Sequence, residues 1–302
     1  MLLLGAYILA VGYDYVMLFK KNSHLHAAGT LLGNKEHGRV MLDSLKTRPE
    51  GSFAFFGNSK AKQIVLLLSN PGATATLLAS PLENECEITP TAELIDEALH
   101  HARKSSVMLA QTILHTNNTL LTQAFTRARF NKLAILHFME QVKPPKQIKM
   151  PFGLSFTSIT KKDDKILGPI LEETYIDSLD CPNMHGIRSV QDIIDGHRGI
   201  DDSSVQLWSI AELEGKKVGV VLLNSLPKIK CIELAYIGLS PTVRGKNLAD
   251  ACMQHITNQI AETAFSRVTL AVDSKNIPAK KLYLKWNFTK IKQRLTMIKK
   301  LS

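Results

Sequence analysis

The chain has 302 residues, 45% of them hydrophobic, and a formal net charge of +10. That length predicts two domains, and the apolar fraction can fill a sizeable core. The four cysteines, Cys86, Cys181, Cys231 and Cys252, form no Cys-x-x-Cys pair and have no histidine at ligand spacing, which argues against a zinc or other metal site and suits a reducing, cytoplasmic setting. Residues 1–150 carry +5 (16 basic, 11 acidic) and 151–302 another +5 (21 basic, 16 acidic). Nine of the later basic residues lie between Lys275 and Lys300 with no acid among them. They read as a solvated face around the site of an anionic cofactor. An RNA surface is the weaker alternative, because no aromatic-rich motif accompanies them, and no nucleic-acid partner is expected.

Residues 1–19 are apolar and are followed by Lys20-Lys21. A membrane span needs roughly 20 apolar residues, and this run contains Gly5, Gly12 and Asp14. It lacks the leading positive charge and the small-residue cleavage site of a signal peptide. A buried first element or a start placed too early is expected, with a membrane anchor as the alternative. No membrane partner is expected. Residues 22–52 show no clear pattern. Lys62–Ser69 predicts a buried strand, Asn70-Pro71-Gly72 a turn, and Ala73–Ala79 the hairpin partner. A helix follows from Thr91, with Leu94, Ile95, Ala98, Leu99 and Ala102 on one face. Then come a strand over Val107–Leu114, a short helix opened by Asn118, and a strand over Lys132–Glu140.

Proline and charge mark residues 143–153 as a linker. Beyond it, Ile166–Leu179 predicts a helix with Ile170, Leu171, Thr174 and Leu179 inward, followed by an irregular stretch to Gly199. Tyr175, Asp180, His185, Arg188 and His197 fall in this region, as surface, capping or substrate-contacting residues. Val205–Leu213 and Lys217–Leu223 predict a hairpin across Glu214-Gly215, with Trp208 in the core.

Ile232–Leu239 predicts the central strand, ended by Ser240-Pro241. A helix follows, with Leu248, Cys252, His255, Ile256 and Ile260 on one face. Strand, tight turn and helix N-terminus together favour an anion, because the unpaired amides and the dipole both point at it. Gly245 allows close backbone approach, Arg244 and Lys246 add charge, and Asn247 suits a left-handed turn or a cap. Arg267–Asp273 is a further strand, leading into a short helix with Pro278 in its first turn and Leu282 inward.

These last 100 residues or so resemble the GNAT superfamily of acyl-CoA N-acyltransferases. The match rests on Arg244 and Ala249 in the turn, and on Asn276, Ala279, Leu282, Tyr283 and Phe288 beyond the second strand. Asn247 and Asn287 stand where the family has glycine. The resemblance implies acetyl-CoA as co-substrate, with the amides of Ile237 and Leu239 on its pantetheine arm. It places the pyrophosphate on Arg244, Gly245, Lys246, Asn247, Leu248 and Ala249, and a further contact at Asn276. It makes Tyr283 the general acid. It also makes Glu233 a candidate general base, against the alternative of a glutamate paired with a lysine. Tyr175, Asp180 and Tyr236 are candidate substrate contacts.

Placing Asn118 on Asn276 puts Phe125 on Tyr283 and Phe130 on Phe288, an internal repeat. The fold implied is α/β (α+β), with two GNAT-like domains, each a mixed, mostly antiparallel twisted sheet flanked by helices. Residues 1–145 form a degenerate scaffold domain without the Arg-Gly-Lys turn, and 151–302 the catalytic one, an arrangement similar to mycothiol synthase-like proteins. The expected activity is acetyl transfer to a small-molecule or peptide amine by a cytoplasmic monomer or homodimer. The alternative is a non-catalytic acyl-CoA-binding or adaptor protein.

Overall fold

Two asparagines at matching places in the repeat start two short helices in the same way. In the computed structural model, which describes residues 24–32, 34–57, 63–142, 153–184, 186–199 and 207–301, Asn118 Oδ1 accepts the Leu121 N–H at 3.1 Å and Asn276 Oδ1 accepts the Ala279 N–H at 3.2 Å. Each bond satisfies one of the orphan amides of a helix N-terminus. The two helices also end alike. Phe130 N–H donates to Phe125 O and Phe288 N–H to Tyr283 O, both at 2.9 Å, each just after a residue with positive φ (Arg129 at 64°, Asn287 at 60°).

In chain order the helices are α1 (His24–Leu32), α2 (Lys35–Leu45), α3 (Ile88–Arg103), α4 (Thr119–Arg127), α5 (Asp164–Tyr175), α6 (Val190–Arg198), α7 (Leu248–Ala261) and α8 (Ile277–Lys285). The strands are β1 (Phe53–Phe56), β2 (Val65–Asn70), β3 (Thr74–Ala79), β4 (Leu109–Leu114), β5 (Asn131–Val142), β6 (Leu154–Ser158), β7 (Ser209–Leu213), β8 (Lys216–Leu226), β9 (Cys231–Leu239), β10 (Arg267–Asp273) and β11 (Thr289–Lys300). They form two compact units. One is Ile135–Gln293, and the other joins the described residues before Ile135 to those from Arg294 onward.

In the latter unit the strands run β1-β2-β3-β4-β11, antiparallel except for β3–β4, which the crossover helix α3 joins in parallel. Ile95 and Leu99 of α3 are fully buried with Val65, Leu67 and Leu77, each such side chain contributing about 1.5–3 kcal/mol. In unit 135–293 the order is β6-β7-β8-β9-β10-β5, again antiparallel except for one pair, β9–β10. One face of this sheet packs Tyr236, Leu222, Val220 and Trp208 with Leu167, Leu171 and Ile194 of α5 and α6. The other packs Leu234, Val268 and Leu270 with Met253 and Ile256 of α7 and Tyr283 of α8. Within each unit the strand pairing is mixed and mostly antiparallel, with flanking helices, as the sequence implies.

The last strand of each repeat copy pairs with the other copy's strands. β5 runs antiparallel to β10 from Arg267↔Val142 to Asp273↔Leu136, while β11 pairs with β4 from Leu295↔Leu114 to Lys300↔Leu109. A division of the sequence at 145 and 151 and the compact units therefore differ in where these two strands fall.

Three local expectations change. The helix expected to reach Leu179 ends at Tyr175, because Ile176 turns extended (ψ 125°) and Asp177 takes a φ of 53°. Leu179 is consequently 53% exposed instead of inward. The stretch expected to be irregular contains α6, which opens on a capping box of Ser189 and Asp192 and closes at Gly199, φ 68°. Residues 22–52, without a clear pattern, contain α1 and α2. The expected hairpin turn at Glu214-Gly215 is present, with φ of 51° and 77°. The apolar residues 1–19 and the linker residues 143–152 lie outside the described residues, as does His185. Among the described residues, no helix is long and apolar enough to cross a membrane.

Candidate active site

The site begins where β9 and β10 part. Their parallel ladder holds only Val268↔Ile232 and Thr269↔Glu233, and beyond these pairs the strands separate toward their C-terminal ends. On its other side β9 stays on β8, with a slip between Leu222 and Leu223 that leaves Ala235 as an extra residue. Ser240 N–H donates to Val218 O on β8 at 2.7 Å. Since hydrogen-bonding direction alternates along an antiparallel strand, the amides of Ile237 and Leu239 face away from β8, into the opening beside β10. Ile237, Gly238 and Leu239 are all half-buried there. A Cβ on Gly238 would lie 2.5 Å from the Tyr236 hydroxyl, so glycine is what lets that ring lie along the strand.

At the end of β9, Pro241–Val243 makes one tight turn, and Gly245 (φ 76°) and Asn247 (φ 60°) take left-handed conformations before α7 starts at Leu248. The Asn247 side chain makes no cap bond, so of its two expected roles it takes the left-handed one. Gly245, Lys246 and Asn247 are exposed, and a Cβ on Gly245 would meet nothing within 4 Å. The first turn of α7 presents orphan amides to this open cradle, with Leu248 and Ala249 half-buried. These features fit an anionic phosphate group. The Arg244 guanidinium does not face the cradle. It donates to the carbonyls of Leu239, Ile176 and Thr174 at 3.0, 2.7 and 2.9 Å.

Tyr283 is 6% exposed, and among the described residues its hydroxyl has no hydrogen-bond partner. Burial raises its pKa, with the charges of Asp180 and Tyr236 adding to the effect. It therefore remains a protonated donor at neutral pH, within electrostatic reach of both groups. Asp180 Oδ1 accepts the N–H of Asp273 at 3.3 Å. The Tyr236 hydroxyl meets Thr174 Oγ1 at 2.9 Å, and its ring lies 5.4 Å from that of Tyr175. Burial raises the pKa of Tyr175 well above the ordinary value. His197, 5% exposed and 5.9 Å from Tyr236, is held neutral by burial. The Asn276 side chain caps α8 through Ala279.

Glu233 sits at the closed end of the parting strands. It is 2% exposed, accepts from Asn224 Nδ2 at 3.1 Å through Oε2, and leaves Oε1 without a partner. Burial pushes its pKa up to about 7, against the opposing pull of Asn224. Its partner is thus an amide and not a lysine. Tyr283 is within electrostatic reach of Asp180 and Tyr236, while Glu233 sits at the last ladder pair of β9 with β10. Asn224 was not singled out in the sequence, although a lone asparagine in the apolar run of β8, opposite Glu233, was the available signal. Among the described residues, no three His, Cys, Asp or Glu side chains gather as a metal-ligand set.

Residues 172–288 match the model of the Acetyltransferase (GNAT) family. No curated protein matches the chain. Solved structures resemble it in fold at low identity. A GCN5-related N-acetyltransferase from Sphaerobacter thermophilus is 14% identical with a TM-score of 0.61, over 87% of this chain and 85% of that one. One from Kribbella flavida is 12% identical with a TM-score of 0.53, over 87% and 94%. A Drosophila protein is 12% identical with a TM-score of 0.50, over 99% and 94%. The segment that matches the Acetyltransferase (GNAT) family is thus the one that holds β9, the glycine turn, β10 and Tyr283.

Proposed function

We propose that the chain is an N-acetyltransferase that moves the acetyl group of acetyl-CoA to a primary amine by direct attack in a ternary complex. The observation that carries this reading is the parting of β9 from β10, with the Ile237 and Leu239 amides facing the gap and the open glycine turn at its end. The amides of Ile237 and Leu239 would hold the pantetheine arm and polarise the thioester carbonyl, and residues 244–249 would hold the pyrophosphate. Acetyl-CoA supplies an activated acyl group and a thiolate leaving group.

The remaining chemistry falls to this chain's side chains. An alkyl amine with a pKa near ~10 arrives protonated and must lose a proton before it attacks. Glu233, with a pKa of about 7, is matched to accept that proton near neutral pH. As the C–N bond forms and the C–S bond breaks, the nitrogen loses its second proton to solvent and Tyr283 gives its proton to the departing sulfur. Tyr283 then regains a proton from solvent, and Glu233 releases the first amine proton to solvent. Tyr175, Asp180 and Tyr236 line the acceptor side. Phe125 occupies the place of Tyr283 in the first repeat copy, so that copy serves as scaffold. The setting proposed is cytoplasmic.

The test is a thiol-release assay of the full chain with acetyl-CoA over pools of small amines and peptides. Release that depends on an added amine supports the reading. Tight acetyl-CoA binding with no release from any pool would favour a non-catalytic binding protein.

A further inference from the structure

Arg244 stands first in the glycine turn, yet its side chain holds a different segment. Two of its three acceptors, the carbonyls of Thr174 and Ile176, belong to the C-terminal end of α5. Unpaired carbonyls and the negative end of the helix dipole favour a cation there. Ser240, from the same turn, donates to Glu173 Oε1 at 2.5 Å. The segment leaving α5 is short. It starts at Ile176, tied to the end of β9 by Arg244, and reaches Asp180, tied to the end of β10 through the Asp273 N–H. Residues 176–180 therefore strap the mouth of the gap between the two strands. Asp177 and Cys181 adopt positive φ (53° and 49°), which turns the chain near both ends of the strap. Ile176 and Leu179 each expose more than half of their surface on this strap, at 54% and 53%.

We propose that Arg244 is a positioning residue that couples occupancy of the anion turn to the order of the 176–180 strap, and so to the acceptor side of the site. This rests on the acyl-CoA reading. The backbone of Arg244 opens the phosphate cradle and its guanidinium holds the strap, so a ligand that fixes the turn also fixes the anchor of the strap. Tyr175 precedes the strap and Asp180 ends it, and an amine thus meets its contacts in place only after the cofactor is seated.

Hydrogen exchange of the full chain, with and without saturating CoA, tests this without knowledge of the acceptor. In the wild type, CoA should slow exchange both at residues 245–249 and, by about tenfold, at 176–181. In Arg244→Met at its own saturating CoA, the turn should still slow while 176–181 no longer respond. Arg244→Lys, which keeps the charge but not the three-way fork, should give an intermediate response and decides the matter if the Met variant does not fold. Equal CoA-dependent slowing of 176–181 in wild type and variants would overturn the proposal. So would a wild-type strap that ignores CoA while the turn slows. If neither segment responds in the wild type, the acyl-CoA reading itself fails, and the coupling falls with it.

Discussion

Gln141 Nε2 donates to the carbonyl of Trp286 at 2.6 Å, joining a strand of the first repeat copy to the helix that carries Tyr283. Trp286 is the C-cap of α8, and its carbonyl has no place in the helix ladder. On its other side, Trp286 Nε1 donates to Asp250 Oδ1 of α7 at 2.8 Å. The C-terminal end of α8 is thereby held between β5 and α7. Gln141→Leu keeps the bulk but removes the partner of a part-buried carbonyl, a loss of about 1 kcal/mol. Thermal denaturation should show that loss, and turnover should fall more than acetyl-CoA affinity. Unchanged stability and turnover would mean that α8 is positioned without β5.

The same strand sets the behaviour of fragments. β5 covers β10 along seven paired residues, and Arg267 pairs with Glu140 at 3.5 Å. A fragment of residues 151–302 lacks this strand and leaves a bare edge on β10, which invites association. It should aggregate or lose activity, as read by size-exclusion chromatography and thiol release. A monomeric, fully active fragment would show that the first copy is dispensable.

Glu233 gives the stability of the fold a pH dependence. Its folded pKa of about 7 lies above the ordinary 4.5, so the folded protein keeps a proton that the unfolded chain has already lost. The group costs nothing below pH ~4.5, and its burial then lowers stability as pH rises to ~7, by on the order of 3 kcal/mol in all. Glu233→Gln stays neutral. It should melt higher than wild type at pH 8 and alike at pH 4, while losing at least about 100-fold in turnover if the carboxylate is the base. A variant that melts lower at pH 8, or keeps full activity, contradicts this assignment.

Tyr283→Phe removes a hydroxyl with no partner among the described residues, so folding and acetyl-CoA binding should persist. Turnover should drop on the order of 100-fold, since the leaving sulfur loses its proton donor. Steady-state kinetics measure this directly. A change within about twofold is under ~0.5 kcal/mol of barrier and would leave Tyr283 as packing.

Much of this architecture is legible in the sequence because the signals are local. Asn118 and Asn276 cap their helices, Asn287 takes the left-handed turn, and Gly245 and Asn247 shape the cradle through backbone conformation alone. Helix α6 also had local signals, in Ser189, Asp192 and Gly199, but its few apolar positions hid the periodicity. The exchange of β5 and β11 has no local signal. Both strands follow the same helix pattern, and their partners are chosen by tertiary pairing. The direction of Arg244 was hidden for a related reason: its three acceptors include carbonyls of α5, far away in sequence.

The most direct test of the central claim is calorimetric titration of acetyl-CoA into the full chain. One site per chain is expected, with an affinity in the ~1 µM–1 mM range usual for enzyme substrates. Lys246→Glu should weaken it by about 1.5–3 kcal/mol, through a lost charged contact to phosphate. Two sites per chain would give the first repeat copy a cofactor of its own. Binding that ignores Lys246→Glu, or no binding at all, would contradict the placement of acetyl-CoA at the Arg244–Ala249 turn.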